Sequence, residues 1–210
     1  MAHELKELRK FGGVAFMVSG MLFLARHLLD LMAGPPPSSG AEIVAWVESG
    51  RLVLSLVSEV LFFAALSLVP AVIALYHSLA SVEQTRAALG CAIIAVVIPV
   101  LVLLVIVHGR LVYPVHGLRA ITPTSAELVV ALFYGGLHAT GLLFGVATFV
   151  LSLAMKRVYG VPVAYLGFVT AACDVIGAYP YVIGPVLALL CEAFFAAWFV
   201  AVGLKLYRMS

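Results

Sequence analysis

The stretch LVLSLVSEVLFFAALSLVPAVIALY, residues 52–76, carries one charge, Glu59, in 25 residues. A run of that length and polarity constrains the chain more than any other feature. About 20 apolar residues suffice for a helix to cross roughly 30 Å of hydrocarbon, where the backbone must satisfy its own hydrogen bonds. Segments of the same kind occupy residues 11–33, 87–107, 128–155, 163–181 and 182–206, so six spans are expected in 210 residues. The chain is 64% hydrophobic and only 10% charged, whereas about a quarter of the residues of a soluble domain carry charge. The expected fold is an all-α, multi-pass transmembrane bundle of six helices, a single integral membrane domain over residues 1–210 with no room for a soluble one.

The formal net charge is +2 and no Lys/Arg cluster occurs, so nucleic acid is not an expected partner and the lipid bilayer is. With the N-terminus inside, Lys6, Arg9, Lys10, Arg86, Lys156, Arg157, Lys205 and Arg208 face the cytoplasm, and Arg51, Arg110 and Arg119 face out. The positive-inside rule then puts the chain in the cell membrane with both termini cytoplasmic. The basic start followed by an apolar run imitates a signal peptide, but Arg26 and Asp30 interrupt the approach to any cleavage site. The first span is expected to be retained.

The connecting segments have their own signatures. GPPPSSG must end the first span. In AEIVAWVESG, the spacing of Ile43, Trp46 and Val47 predicts a short amphipathic helix at the outer interface. TPTSAE offers a Ser or Thr cap to the fourth span. Cys91, Cys173 and Cys191 fall in apolar stretches without CxxC spacing and read as small core residues.

From AEIVAWVESGRLVLSLVSEVLFFAALSLVPAVIALYHSL onward, and again in GGLHATGLLFGVATFVLSL, VPVAYLGFV and LALLCEAFFAAWFVAVGLK, the chain resembles a prokaryotic six-span membrane family, the domain of unknown function 4386. The resemblance covers most of the chain, through apolar and degenerate motifs. Where that family tends to have a basic-aromatic pair, this chain has Val163, Ala164 and Tyr165. The resemblance implies a fold and a membrane location, and no activity.

Ionisable groups inside spans are the candidates for function, since each is costly at bilayer depth. They are Arg26, His27 and Asp30 on the first span, Glu59 on the second, His138 on the fourth, Asp174 on the fifth and Glu192 on the sixth. The third span has none and, with Pro99 among Ile, Val and Leu, reads as the peripheral helix. At 1.5 Å per residue, His27 lies about 9 Å from the outer end of its span, Glu59 about 10 Å, and Glu192 and His138 about 15 Å. Helical spacing puts Thr170, Asp174, Gly177 and Tyr181 on one stripe, Tyr134, His138, Gly141 and Gly145 on a second, and Ala188, Glu192, Ala196 and Gly203 on a third. Small residues mark close helix contacts. An outward-opening polar cavity is expected, with Glu59, His138, Asp174, Glu192, Arg26 and His27 as its ligand-binding residues.

Each residue also has a plainer reading. Arg26 and Asp30, four apart, can form a local ion pair, and a mid-span histidine such as His138 is commonly a packing group. Three functions stay open: binding or transport of a small polar or cationic ligand or protons, an intramembrane metal-dependent hydrolase acting on lipid, and a haem-binding or structural subunit of a membrane complex. No HExxH or GxSxG occurs, so catalytic residues, a metal site and a cofactor are all unassigned. No internal repeat is visible, so a six-span carrier would be expected to work as a homo-oligomer.

Overall fold

The computed structural model describes residues 2–114, 116 and 122–209. Arg119 lies outside them. Among the described residues every regular element is a helix: α1 (Ala2–Ala33), α2 (Gly40–Val112), α3 (Pro123–Val158), α4 (Val161–Gly177) and α5 (Pro180–Arg208). Four of these, all but α4, are long and apolar enough to cross a membrane. Five helical elements thus replace the six expected, and the difference lies in α2.

The 73 residues of α2 contain one non-helical residue, Glu83 (φ −139°, ψ 61°). The arms on either side, 40–82 and 84–112, lie against each other: Ser58 Oγ is 2.6 Å from His108 Nδ1, and the Tyr113 hydroxyl donates to the Glu59 carboxylate at 2.8 Å. The chain therefore folds back at one residue, with no loop between the arms. Pro70 and Pro99 stay within helical backbone, as proline can in a membrane helix whose neighbours support it. The separate interfacial helix expected at residues 41–50 is instead the first three turns of the first arm. Gly50 is the only breaker before the apolar run, and one glycine costs about 1 kcal/mol, too little to stop a helix held by packing on both sides. Ile43 and Val47 are buried there with Leu111, Val112 and Ala126.

Periodicity explains the inner face. Leu54, Leu61, Leu68 and Leu75, seven apart on the first arm, are wholly buried, and Ile94, Leu101 and His108 repeat the spacing on the second. A seven-residue repeat keeps one seam facing its neighbour along a left-handed crossing. On the outer side Leu56, Phe63, Leu66 and Ile73 are exposed. That surface suits lipid.

Local chemistry sets the other ends. Gly34 (φ 75°) turns the chain out of α1, and the indole of Trp46 donates to the Ala33 carbonyl at 2.8 Å. The expected cap on α3 is present: Thr122 and Ser125 form a reciprocal capping box with Pro123 in the first turn. Gly184 (φ 76°) interrupts α5 one turn in, ahead of Pro185.

The helices form a closed ring in chain order. α1 packs on α2 and α5, α3 on α2 and α4, and α4 on α5. The first arm of α2 meets α1, where Ser19 donates to the Ala64 carbonyl at 2.9 Å, and the second meets α3, where the His108 ring lies 4.2 Å from that of Phe133. The second arm, expected to be peripheral, is a full member of the ring, with Ile94 and Val97 wholly buried. Where α1 crosses α5 the backbones touch: a methyl at Gly203 would come within 2.5 Å of the Gly13 carbonyl oxygen. Phe16, Phe23, Phe195, Trp198 and Phe199 fill the centre of the ring.

One end of the bundle collects both termini and the turn at Glu83. Arg9 donates to the Met209 carbonyl, Arg157 and Arg86 bind Glu83 at 2.6 and 3.3 Å, and the buried Ser78 and Tyr159 hydroxyls are hydrogen-bonded. Arg9 also interacts electrostatically with Tyr159. We call this the terminal end.

Candidate functional site

At the opposite end the ring opens into a cavity of about 870 Å³. Its mouth is edged by Gly34, Pro35 and Pro36 after α1 and by Tyr181 and Pro185 at the start of α5, and its deep walls include Phe23, Phe144 and Phe195. These three rings touch edge to face, with centroids 5.1–5.8 Å apart, and the wholly buried Phe16, Trp198 and Phe199 lie beyond them. The aromatic layer closes the cavity's inner end.

Into this largely apolar space project Arg26, His27 and Asp30 from α1, His138 from α3, Asp174 from α4 and Glu192 from α5. Arg26 forms the local ion pair with Asp30 four residues on. It also attracts Glu192, and Asp174 and Glu192 repel each other. One fixed cation therefore faces three carboxyl groups. Hydrogen bonding is incomplete: Arg26 Nε, His27 Nε2, Asp30 Oδ1 and Asp174 Oδ2 are buried without a partner. Thr148 Oγ1 approaches Asp174, but neither it nor Asp174 Oδ2 reaches hydrogen-bond geometry. Unpaired polar groups cost about 1–3 kcal/mol each when buried.

His138 is more fully engaged. Its Nδ1 is 2.8 Å from the Ala178 carbonyl oxygen, and its ring stands edge to face with Tyr179, 4.7 Å between centroids. That arrangement positions the turn between α4 and α5, so His138 lines the cavity and also packs its rim.

Five of the six candidate residues come together here, and the sixth does not. Glu59 is exposed on the first arm of α2 and bonded to Tyr113. Glu59 follows Ser58, which packs on His108, and it points away from the face that buries Val57, Ser58 and Leu61.

Two features escaped the sequence reading. His108, one residue past the expected end of its span, is buried against Ser58, and its Nε2 has no partner. Cys173 and Cys191 line the cavity wall. Cys91 and Cys191 are buried, as expected of small core residues, and Cys173 is half-buried. The neighbouring Asp174 and Glu192 offered no signal for this, since adjacent residues on a helix do not share a face.

Among the described residues no group of three or more His, Cys, Asp or Glu side chains is placed to hold a metal ion. His27 and His138 belong to the same cavity, but no third ligand stands with them. No known protein family matches the chain, and neither a curated protein nor a solved structure does.

Proposed function

We propose that the protein binds or transports a small ligand that carries positive charge, or protons, through the outer-facing cavity. The observation that carries this reading is the charge count: Arg26 stands against Asp30, Asp174 and Glu192 in one cavity of about 870 Å³. If all three carboxyls ionise, two negative charges lack a fixed counterion, and a low-dielectric wall makes each costly unless a cation or proton joins it. The aromatic rings of Phe23, Tyr134, Phe144 and Phe195 suit a cation with an apolar body.

The reading includes a topology. Counting the arms of α2 separately and α4 as a short span of 17 residues, close to 26 Å at about 1.5 Å per residue, the chain crosses the membrane six times. Lys6, Arg9, Lys10, Arg86, Lys156, Arg157, Lys205 and Arg208 sit at or near the terminal end, so that end is cytoplasmic and the cavity opens outward. Because the aromatic layer closes the inner end, transport would require a rearrangement between α1 and α5. Membership of the domain of unknown function 4386 stands as part of the same proposal, carried by the motifs quoted above.

The test uses radiolabelled tetrapropylammonium and the protein in lipid nanodiscs. Saturable binding that is lost in the Asp174→Asn, Glu192→Gln double variant supports the reading. Equal binding by the folded double variant would refute it. A hydrolase acting on lipid is favoured by no specific contact in the cavity.

A further inference from the structure

Cys173 on α4 and Cys191 on α5 meet on the cavity wall. Both line the cavity, and the two thiols lie close enough to interact. One turn further along α4 the helices are in contact: a methyl at Gly177 would lie 3.2 Å from Cys191 Cβ and 3.9 Å from its Sγ. A disulfide needs Cβ atoms about 3.5–4.5 Å apart, a separation that helices packed this closely can reach. Cys91 is different: it packs in the core on the second arm of α2 and does not line the cavity. The chain thus separates one structural thiol from a pair that a ligand in the cavity would touch.

Each thiol of the pair is followed by a carboxyl, Asp174 or Glu192, on the same cavity. Oxidising a dithiol releases two protons with two electrons, so adjacent proton acceptors are chemically apt. The oxidant must come from outside the chain. Apart from the charged groups already described, the wall includes Phe23, Leu61, Leu101, Leu137, Phe144 and Phe195. A flat, uncharged, lipid-soluble acceptor is well suited to them.

We infer that Cys173 and Cys191 form a dithiol–disulfide couple that passes two electrons and two protons to a quinone-class acceptor entering the cavity. Two S–H bonds break and one S–S bond forms between α4 and α5. The two quinone carbonyl oxygens each gain a hydrogen, giving the quinol, with Asp174 and Glu192 relaying the protons. The couple does not depend on the cationic-ligand reading, although it uses the same cavity and the same carboxyls, Asp174 and Glu192. Closing the disulfide would tie α4 to α5 beside Gly177 and fix the cavity's wall.

The test begins with the full chain in nanodiscs, reduced with a phosphine and desalted. It is then incubated with decylubiquinone, whose fully substituted ring does not alkylate thiols, and in a parallel arm with diamide. After denaturation the free thiols are counted by alkylation and intact mass, and quinone consumption is followed by absorbance. The expected result is protection of two of the three thiols, a loss of two hydrogen masses, and one quinol per chain. Cys91→Ser retains this behaviour, and Cys173→Ser and Cys191→Ser each abolish it. Closure by diamide without closure by the quinone overturns the assigned acceptor. Three alkylatable thiols after both treatments of the wild-type chain overturn the couple itself.

Discussion

The two ends of the bundle handle polar groups in opposite ways. At the terminal end, Glu83 is held by Arg86 and Arg157, Ser78 by Tyr159, and Arg9 by the C-terminal backbone. Arg9 Nε there is also buried without a partner, but at the cavity end such atoms accumulate: Arg26, His27, Asp30 and Asp174 each keep one. The difference separates polar residues that build the fold from polar residues that the fold tolerates. Glu83 stops a helix and fastens the resulting turn to the end of α3. Asp174 and Glu192 fasten nothing comparable.

Substitutions at the two ends should therefore behave differently. The largest effect is expected from Arg26→Met, which leaves Asp30, Asp174 and Glu192 around the cavity with no cation; removing one member of a buried ion pair costs about 3–5 kcal/mol. Thermal unfolding in detergent would read this as a pronounced fall in melting temperature. Unchanged stability would mean that the carboxyls are already neutral, and would shift the reading toward protons. Next comes Glu192→Gln, expected to weaken cation binding about tenfold, near 1.4 kcal/mol, while stability holds or rises because a repulsion with Asp174 is removed. A matched loss of stability and binding would make Glu192 part of the scaffold and erase the contrast. At the terminal end, Tyr159→Phe removes the bond to Ser78 and should cost about 1 kcal/mol, with ligand binding untouched. Arg157→Ala should cost less than about 1 kcal/mol, because Arg157 is 69% exposed and solvent screens its pair with Glu83. A larger cost would show that the fold at Glu83 depends on that contact.

Much of this architecture is legible in the residues. The apolar runs, the breaker after Ala33 and the cap at Thr122 follow from composition and local propensity, which act over a few residues. The stripes of small and polar residues on α3, α4 and α5 correctly indicate the inner faces: Tyr134, His138 and Gly141 line the cavity, as do Asp174, Gly177 and Tyr181, and Ala188 with Glu192. Gly145 and Gly203, on the same stripes, pack against α4 and α1 instead.

What single residues do not carry is which face of a helix turns inward and which partner it meets. Glu59 and Glu192 look alike as single carboxylates in apolar runs. Their fates diverge because Glu59 lies on the exposed side of its arm, where it meets Tyr113, while Glu192 lies on the cavity side of α5. The hairpin at Glu83 is equally hidden: SLASVEQTRAALG contains no glycine or proline before Gly90, and the turn exists because the two apolar arms pack on each other and Arg157 reaches over from α3. His108 lay beyond the last apolar residue of its run, where a polar side chain is ordinarily read as loop.

The most direct test of the contrast is native mass spectrometry of the protein released from its own membrane in mild detergent. The account predicts an extra mass from a cationic species, retained in Arg157→Ala and lost when Asp174→Asn is combined with Glu192→Gln. The same adduct on that double variant, folded to the same degree, would contradict it.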